Sequence, residues 1–322
     1  MKKILSIIVP TYNEEENIEY AYSEIKKTLA AIPQYDYEII FTDNNSRDRS
    51  REIINSIIKK DKKVTALFMS RTFSAEYSTQ AAMHHVIGHV VTFIDCDLQD
   101  HPSLIPKFLR EWEKGYDMVI GIRPKIKDTF IMSKLRKLFY IIFRKIASMD
   151  VPLYSGSFCL LDRRINDIIA NLPERNRFFR GLRAWVGFNV KQIEYKRRER
   201  KFGTTKNSMF DYLGDMQRAL LGFSFVPLDI ITTLGLVLAI PSFVFIFSYL
   251  FLVLSLGNPL NASIPILLAI FFFGGIQLLA ISVVGKYIQI IFEEVKQRPS
   301  YIIDKVINDH STPKFRKFYE KS

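Results

Sequence analysis

Cysteine is nearly missing from this chain: Cys96 and Cys159 are the only two in 322 residues. One lies inside an acidic motif and the other in an apolar run, so a disulfide framework is excluded and a reducing cytoplasmic setting fits. Charge is missing from one long stretch. From Ile230 to Gly285 there is no Asp, Glu, Lys or Arg, a hydrophobic region that a water-filled surround would not tolerate. No secretory leader is expected either. The basic start at Lys2 and Lys3 is followed by an apolar run that ends at Val9 and soon meets Glu14, Glu15 and Glu16. That run is too short for a signal peptide and reads as a first buried strand.

Positive charge is plentiful. Lys and Arg number 45 against 33 Asp and Glu, a formal net charge of +12, which calls for an anionic partner: nucleic acid, anionic lipid or a phosphorylated substrate. The basic residues gather on both flanks of the uncharged region, at 196–206 and Arg218 before it and at Lys286, Lys296, Arg298 and Lys305 after it. That clustering argues against nucleic acid and for a membrane surface. The length allows one large domain with an appendage, or two modest domains.

Through about residue 100, short β-branched runs alternate with amphipathic stretches. Strands are expected at 5–9, 38–42, 64–69 and 90–94, and helices at 15–30, 47–60 and 75–86. This alternation implies right-handed crossovers and a parallel α/β sheet, with ligands at the carboxyl ends of the strands. The polar residues fall at those ends: Pro10, Thr11, Tyr12, Asn13 and Glu14 after the first, Asp43 to Asp48 after the second, Ser70 to Phe73 after the third. Asn13 and Ser46 taken singly read as helix N-caps. Tyr12 and Asp43 have no such role, and a ring with a carboxylate suits a nucleobase.

The fourth strand runs into Asp95, Cys96, Asp97, Leu98, Gln99 and Asp100. In an extended chain Asp95 and Asp97 share a face while Cys96 turns inward. Two such carboxylates suit Mg²⁺ or Mn²⁺. An isolated pair of this kind is also compatible with a strand exit carrying two solvated acids, and the neighbouring strand ends favour the cation clamp.

These motifs, Val9-Pro10-Thr11-Tyr12-Asn13-Glu14, Asp43-Asn44-Asn45-Ser46-Arg47-Asp48 and Asp95-Cys96-Asp97-Leu98-Gln99-Asp100, in this order and spacing, resemble the nucleotide-sugar-binding half of glycosyltransferase family 2. The stretch from Glu174 through Arg180, Gly181 and Trp185 to Phe188 narrows the resemblance to the polyprenyl-phosphate glycosyltransferases, over nearly the whole chain. The resemblance implies a GT-A (Rossmann-like) catalytic domain. It implies that Pro10, Tyr12, Glu14 and Asp43 cradle base and ribose and that Asp95, Asp97 and Gln99 hold metal and diphosphate. Arg123 is implied near the phosphates. Arg200, Gly203, Thr204, Thr205 and Lys206 match a loop that closes over the diphosphate; Arg71, at the third strand end, joins this substrate-binding set. A homo-oligomer is implied too.

Two departures from the family pattern stand out. Asn44 takes the place of a second aspartate, and Gly156-Ser157-Phe158 replaces Gly-Asp-Phe, so a candidate general base is missing and Ser157 is expected only to position a substrate. A lipid phosphomonoester with a second pKa of about 6 is already largely dianionic at neutral pH and needs no base. Asp97 is then the residue on which activity depends most.

Residues 129–148 read as a basic amphipathic helix, able either to lie in a headgroup layer or to pack on the sheet. Residues 208–225 are similar and lead into two candidate spans, 228–256 and 264–292, each longer than the about 20 apolar residues a span requires. Pro241 and the Gly274-Gly275 pair are expected to kink the spans or let helices pack closely. The turn between the spans carries the sequon Asn261-Ala262-Ser263, too close to a membrane for use. By the positive-inside rule both ends lie in the cytoplasm.

The expected architecture is therefore a catalytic domain at 1–206, a juxtamembrane amphipathic helix at 207–227, a two-helix transmembrane hairpin at 228–292 and a cytoplasmic tail at 293–322. The expected activity is inverting transfer of one sugar from a nucleotide-diphosphate sugar, with uridine the expected base, to a polyprenyl phosphate at the cytoplasmic membrane. A processive polysaccharide synthase is disfavoured, because no Glu-Asp dipeptide and no Gln-x-x-Arg-Trp motif occurs. A membrane scaffold with a decayed nucleotide site is favoured by Ser157 and Asn44 and opposed by Asp95, Asp97 and Gln99.

Overall fold

The computed structural model describes residues 2–123, 155–201, 222–256 and 263–311. Strand β1 (Lys3–Thr11) is buried on both faces over Leu5, Ile7, Ile8 and Val9, as a central strand must be. It is followed by α1 (Ile18–Ala30), β2 (Tyr35–Asp43), α2 (Ser50–Lys60), β3 (Val64–Met69), α3 (Ala75–His85) and β4 (Val90–Phe93). Then come α4 (Ile105–Glu113), β5 (Met118–Ile122), β6 (Ser155–Asp162), α5 (Arg163–Asn171), α6 (Phe179–Trp185) and β7 (Val190–Glu194). Two long helices, α7 (Val226–Leu256) and α8 (Ser263–Val295), precede a last strand, β8 (Ile303–Ile307).

The eight strands form one sheet in the order β7-β5-β6-β4-β1-β2-β3-β8. Strands β3, β2, β1 and β4 are mutually parallel, as the alternating pattern requires. Register aligns Thr11 with Asp43, Asp43 with Phe68, and Ile8 with Phe93, so the carboxyl ends of these strands form one edge. Alternate residues feed two cores: Leu5, Ile7 and Val9 pack with α1 and α2, while Ile8, Ile40, Leu67 and Val91 pack with α3 and α5.

The sheet is mixed. Strand β6 runs antiparallel to both β4 and β5, and this reversal matters for the site. An antiparallel strand starts at the edge where its parallel neighbours end, so Ser155, Gly156 and Ser157 begin beside the tips of β4 and β5. Strand β7 is parallel to β5, with Ile122 opposite Glu194, which sets Tyr195 next to Arg123.

Strand β8 was not legible in the sequence. Its five residues centre on Asp304 and Lys305, both exposed, and it pairs antiparallel with β3 through Phe68–Lys305 and Ala66–Ile307. A lysine on an outer strand is a common guard against further strand addition. Residues after α8 thus return to the eight-stranded sheet.

Helices α7 and α8 cover the residues of the expected spans with ends moved by up to three residues, but among the described residues only α8 has a segment that is long and apolar enough to be a candidate span. Residues 270–295 of α8 are long and apolar enough to cross a membrane, and none of that helix's most apolar window is buried. Helix α7 continues through Pro241 without a break. A Cβ at Gly235, Gly274 or Gly275 would meet nothing nearby, so no close helix contact among the described residues depends on those glycines. The helix expected at 129–148, most of the one at 208–225 and the turn between the spans lie outside the described residues.

Candidate active site

Three strand-end loops lock together. Asn13 is left-handed, with φ 50°, a conformation asparagine tolerates better than most residues. Its backbone N–H donates to Ser46 Oγ at 2.8 Å, and its side-chain oxygen accepts from the Arg47 N–H at 2.7 Å. Glu14 N–H donates to Ser50 Oγ at 2.9 Å. Asn13 and Ser46 are therefore not helix caps: α1 starts at Ile18 after a turn closed on the Glu14 carbonyl, and α2 starts at Ser50. Asn44 joins the third loop, donating to the Phe73 carbonyl at 2.7 Å and accepting from Phe73 N–H at 2.9 Å. An aspartate, ionised and without a donor, cannot make both bonds, which gives Asn44 a structural reason to be an amide.

Asp43 is fully buried. Arg51 Nε donates to it at 2.8 Å, and Ser46 N–H lies 3.3 Å from each of its oxygens. Tyr12 stands 37% exposed at the rim and Pro10 is partly buried beside it. Arg71 is exposed, its guanidinium 4.3 Å from the centre of the Phe73 ring.

The acidic motif differs in shape from the extended strand expected. Strand β4 ends at Phe93, and Asp95 to Leu98 form a turn closed by Leu98 N–H to the Asp95 carbonyl at 3.0 Å. Leu98 has φ 50°, a costly conformation for leucine that stores strain at this point. Cys96 is buried in the core, as expected, but in a turn and not in an extended strand, and the Asp97 charge acts on Asp95 across that turn. Burial, then the nearby Asp100 and Asp97 carboxylates, push Asp95 up to about 6, opposed by Ser157 Oγ, which donates to Asp95 Oδ2 at 3.0 Å. Asp97 is also raised by burial, against the Gln99 N–H at 3.2 Å and the arginines facing it.

Arg200 crosses this turn. Its Nη2 donates to both oxygens of Glu14 at 2.7 Å, and Nη1 lies 3.7 Å from Asp97 Oδ2. The chain around it is docked by Arg198 N–H to the Gln99 carbonyl at 2.9 Å and by Lys201 over the Tyr20 ring at 4.1 Å. Lys206 lies outside the described residues.

A second polar cluster adjoins the first. Asp100 is buried and ion-paired with Arg123, and Tyr195 Oη donates to it at 2.6 Å while accepting from Arg123 Nε at 2.8 Å. Burial and the Asp100 charge push the Tyr195 phenol far up. A Cβ at Gly156 would overlap the Arg123 guanidinium, so any larger residue there would have to push Arg123 aside. Arg183, fully buried, donates to the Gly156 carbonyl at 2.7 Å. Arg123 was expected from the sequence; Asp100 and Tyr195 as its partners, and the close approach of Gly156, were not.

The loop before α6 meets the end of α8. Glu294 accepts from the backbone N–H groups of Arg175 and Asn176 at 2.7 and 3.2 Å, and Arg175 Nε donates to the Arg298 carbonyl at 2.8 Å. Tyr287 Oη donates to the Ser224 carbonyl at 2.7 Å, so the start of α7 and the end of α8 lie together beside the catalytic sheet.

Among the described residues no three His, Cys, Asp or Glu side chains converge enough to hold a metal unaided. Asp95 and Asp97 offer hard oxygen ligands in a turn whose mutual repulsion a cation would relieve. That donor set fits Mg²⁺ or Mn²⁺ bound by few protein ligands with substrate phosphates completing the shell.

A Rossmann-like half-sheet that continues into a mixed half, with an acidic turn at its carboxyl edge, defines a GT-A glycosyltransferase. The model of the family "Glycosyl transferase family 2" matches residues 6–169, and the chain belongs to that family. It is similar to the SfII prophage-derived bactoprenol glucosyl transferase of Shigella flexneri, 35% identical over 302 residues, covering 94% of this chain and 97% of that one. It is also similar to the uncharacterised glycosyltransferase YkcC of Bacillus subtilis, 34% identical over 301 residues, covering 93% of each. Among solved structures, the mannosyltransferase PcManGT of Pyrobaculum calidifontis with GDP-Man and Mn²⁺ aligns with a TM-score of 0.47 at 14% identity, covering 69% of this chain and 63% of that chain.

Proposed function

We propose that this glycosyltransferase moves a single sugar from a nucleotide-diphosphate sugar, with uridine as the base, to a polyprenyl phosphate at the cytoplasmic face of a membrane, with inversion at the sugar carbon. The observation that carries this reading is the acidic turn at the carboxyl edge of the sheet, facing Glu14, Arg200 and the Arg123 cluster. The names of its bactoprenol glucosyl transferase relatives support the acceptor class.

In this reading Tyr12 stacks on the base, Pro10, Glu14 and Asp43 form the cradle beneath base and ribose, and Arg71 lies at its margin. Asp95, Asp97 and Gln99 would hold Mg²⁺ or Mn²⁺. Such an ion, when bound, offsets charge on the leaving diphosphate. Arg200 and Lys206 act on the same diphosphate, and Arg123, kept charged and oriented by Asp100 and Tyr195, faces the phosphates. An oxygen of the lipid phosphate forms a bond to C1 as the bond from C1 to the nucleotide diphosphate breaks. One displacement inverts the centre. No proton has to leave the acceptor, so Ser157, which donates to Asp95, serves as a positioning group.

Membrane attachment is supported by the bare apolar surface of α8: Phe271, Leu278 and Phe292 are all exposed, and an unpartnered apolar face of this size calls for lipid or protein cover. The joint at Tyr287 and Ser224, together with β8, supports a hairpin whose two ends lie on the catalytic side, in the cytoplasm. A panel of radiolabelled nucleotide sugars, incubated with undecaprenyl phosphate and the purified full chain in detergent, tests the proposal. One donor should label the lipid. Hydrolysis of every donor without lipid labelling, or growth of a long polymer, would overturn it.

A further inference from the structure

Arg200 does more than line the donor site. Its guanidinium spans Glu14 and Asp97, and the three side chains are only 13–15% exposed. Arg200 Nη1 lies 3.7 Å from Asp97 Oδ2, and Arg197 Nε lies 3.8 Å from Asp100. A guanidinium engaged with one face of a carboxylate hinders a divalent cation from using that face, because two cations at one oxygen repel. The segment carrying Arg200 is fastened to the acidic motif itself through Arg198 and Gln99.

We propose that Arg200 is a tethered counter-cation: it closes the acidic turn before donor arrives, must withdraw from Asp97 for a divalent cation to bind, and then transfers its charge-assisted hydrogen bonds to the donor diphosphate. This rests on the donor-site reading above. Cation and nucleotide binding then become coupled. A cation alone has to displace Arg200 unaided, whereas the diphosphate offers the freed guanidinium a new partner. If the closed arrangement holds about nine-tenths of the time, cation affinity falls about tenfold.

The test is Mn²⁺ binding by the full-length protein in detergent, followed by electron paramagnetic resonance without nucleotide. Arg200→Met should bind Mn²⁺ about tenfold more tightly than the parent. Arg200→Lys, which keeps the charge and loses the fork, should fall between them. Uridine diphosphate should strengthen Mn²⁺ binding in the parent and do so less in Arg200→Met. Equal or weaker Mn²⁺ binding by Arg200→Met, with binding lost in Asp97→Ala, would overturn the counter-cation role and leave the donor site standing. Absence of Mn²⁺ binding in every protein, with or without uridine diphosphate, would overturn both.

Discussion

Asp95 and Asp97 share a turn but have different neighbours. Asp95 is held by Ser157 and raised to about 6, while Asp97 faces Arg200 and the Gln99 N–H. Asp97→Ala should abolish transfer in the lipid-labelling assay, and near-normal turnover would remove the cation clamp from the account. Ser157→Ala deletes one hydrogen bond, a loss of about 1 kcal/mol, or roughly fivefold in rate; complete loss of transfer would mean that Ser157 helps to activate the acceptor. Gly156→Ala should act by displacing Arg123, so Gly156→Ala and Arg123→Ala combined should cost little more than Arg123→Ala alone. Additive losses of kcat/KM would contradict that coupling. The polar tips of the first four strands were legible because a parallel sheet delivers them to one edge. The support of Arg123 was not, since Tyr195 lies 72 residues downstream and nothing local marks it. Asn44 was legible as a missing charge, but not as the amide that ties two loops together.

At the scale of elements, the reversal of β6 and the return of β8 decide what the sheet can do. The first carries Ser157 to Asp95. The second straps the chain after α8 onto β3, helped by Thr65 Oγ1 donating to the Asn308 carbonyl at 2.7 Å and by Tyr301 hydrogen-bonded to His84 at 2.6 Å. Neither direction is written in a five- to eight-residue apolar run, because hydrophobic periodicity reports burial and not polarity of the chain. Burial, then the His85 and Arg177 charges, hold His84 down at about 4, with Asp167 opposing. The unfolded chain takes up that proton near 6.5, so between about 6.5 and 4 the unfolded state binds more protons than the folded one. The stability His84 contributes is present at neutral pH and lost as pH falls through this window. The melting temperature should drop from pH 6.5 to 4, and His84→Gln should make the drop shallower. An unchanged profile would show that His84 is not the group responsible.

At the scale of the whole molecule, a basic chain with net charge +12 carries an enzyme at one end of a pair of apolar helices. Both native cysteines are buried, so single introduced cysteines report topology against a silent background. In right-side-out membrane vesicles an impermeant maleimide should label Asn258→Cys, between the helices, and leave Glu16→Cys, on the catalytic domain, unlabelled until the membrane is opened. The reverse pattern would put the catalytic domain outside. The central claim is electrostatic: a divalent cation at the acidic turn lets an anionic lipid headgroup meet an anionic donor. Its most direct test is transfer by purified full-length protein after exhaustive chelation. Activity should vanish and return when Mg²⁺ or Mn²⁺ is restored, and full activity in the chelated enzyme would contradict the claim.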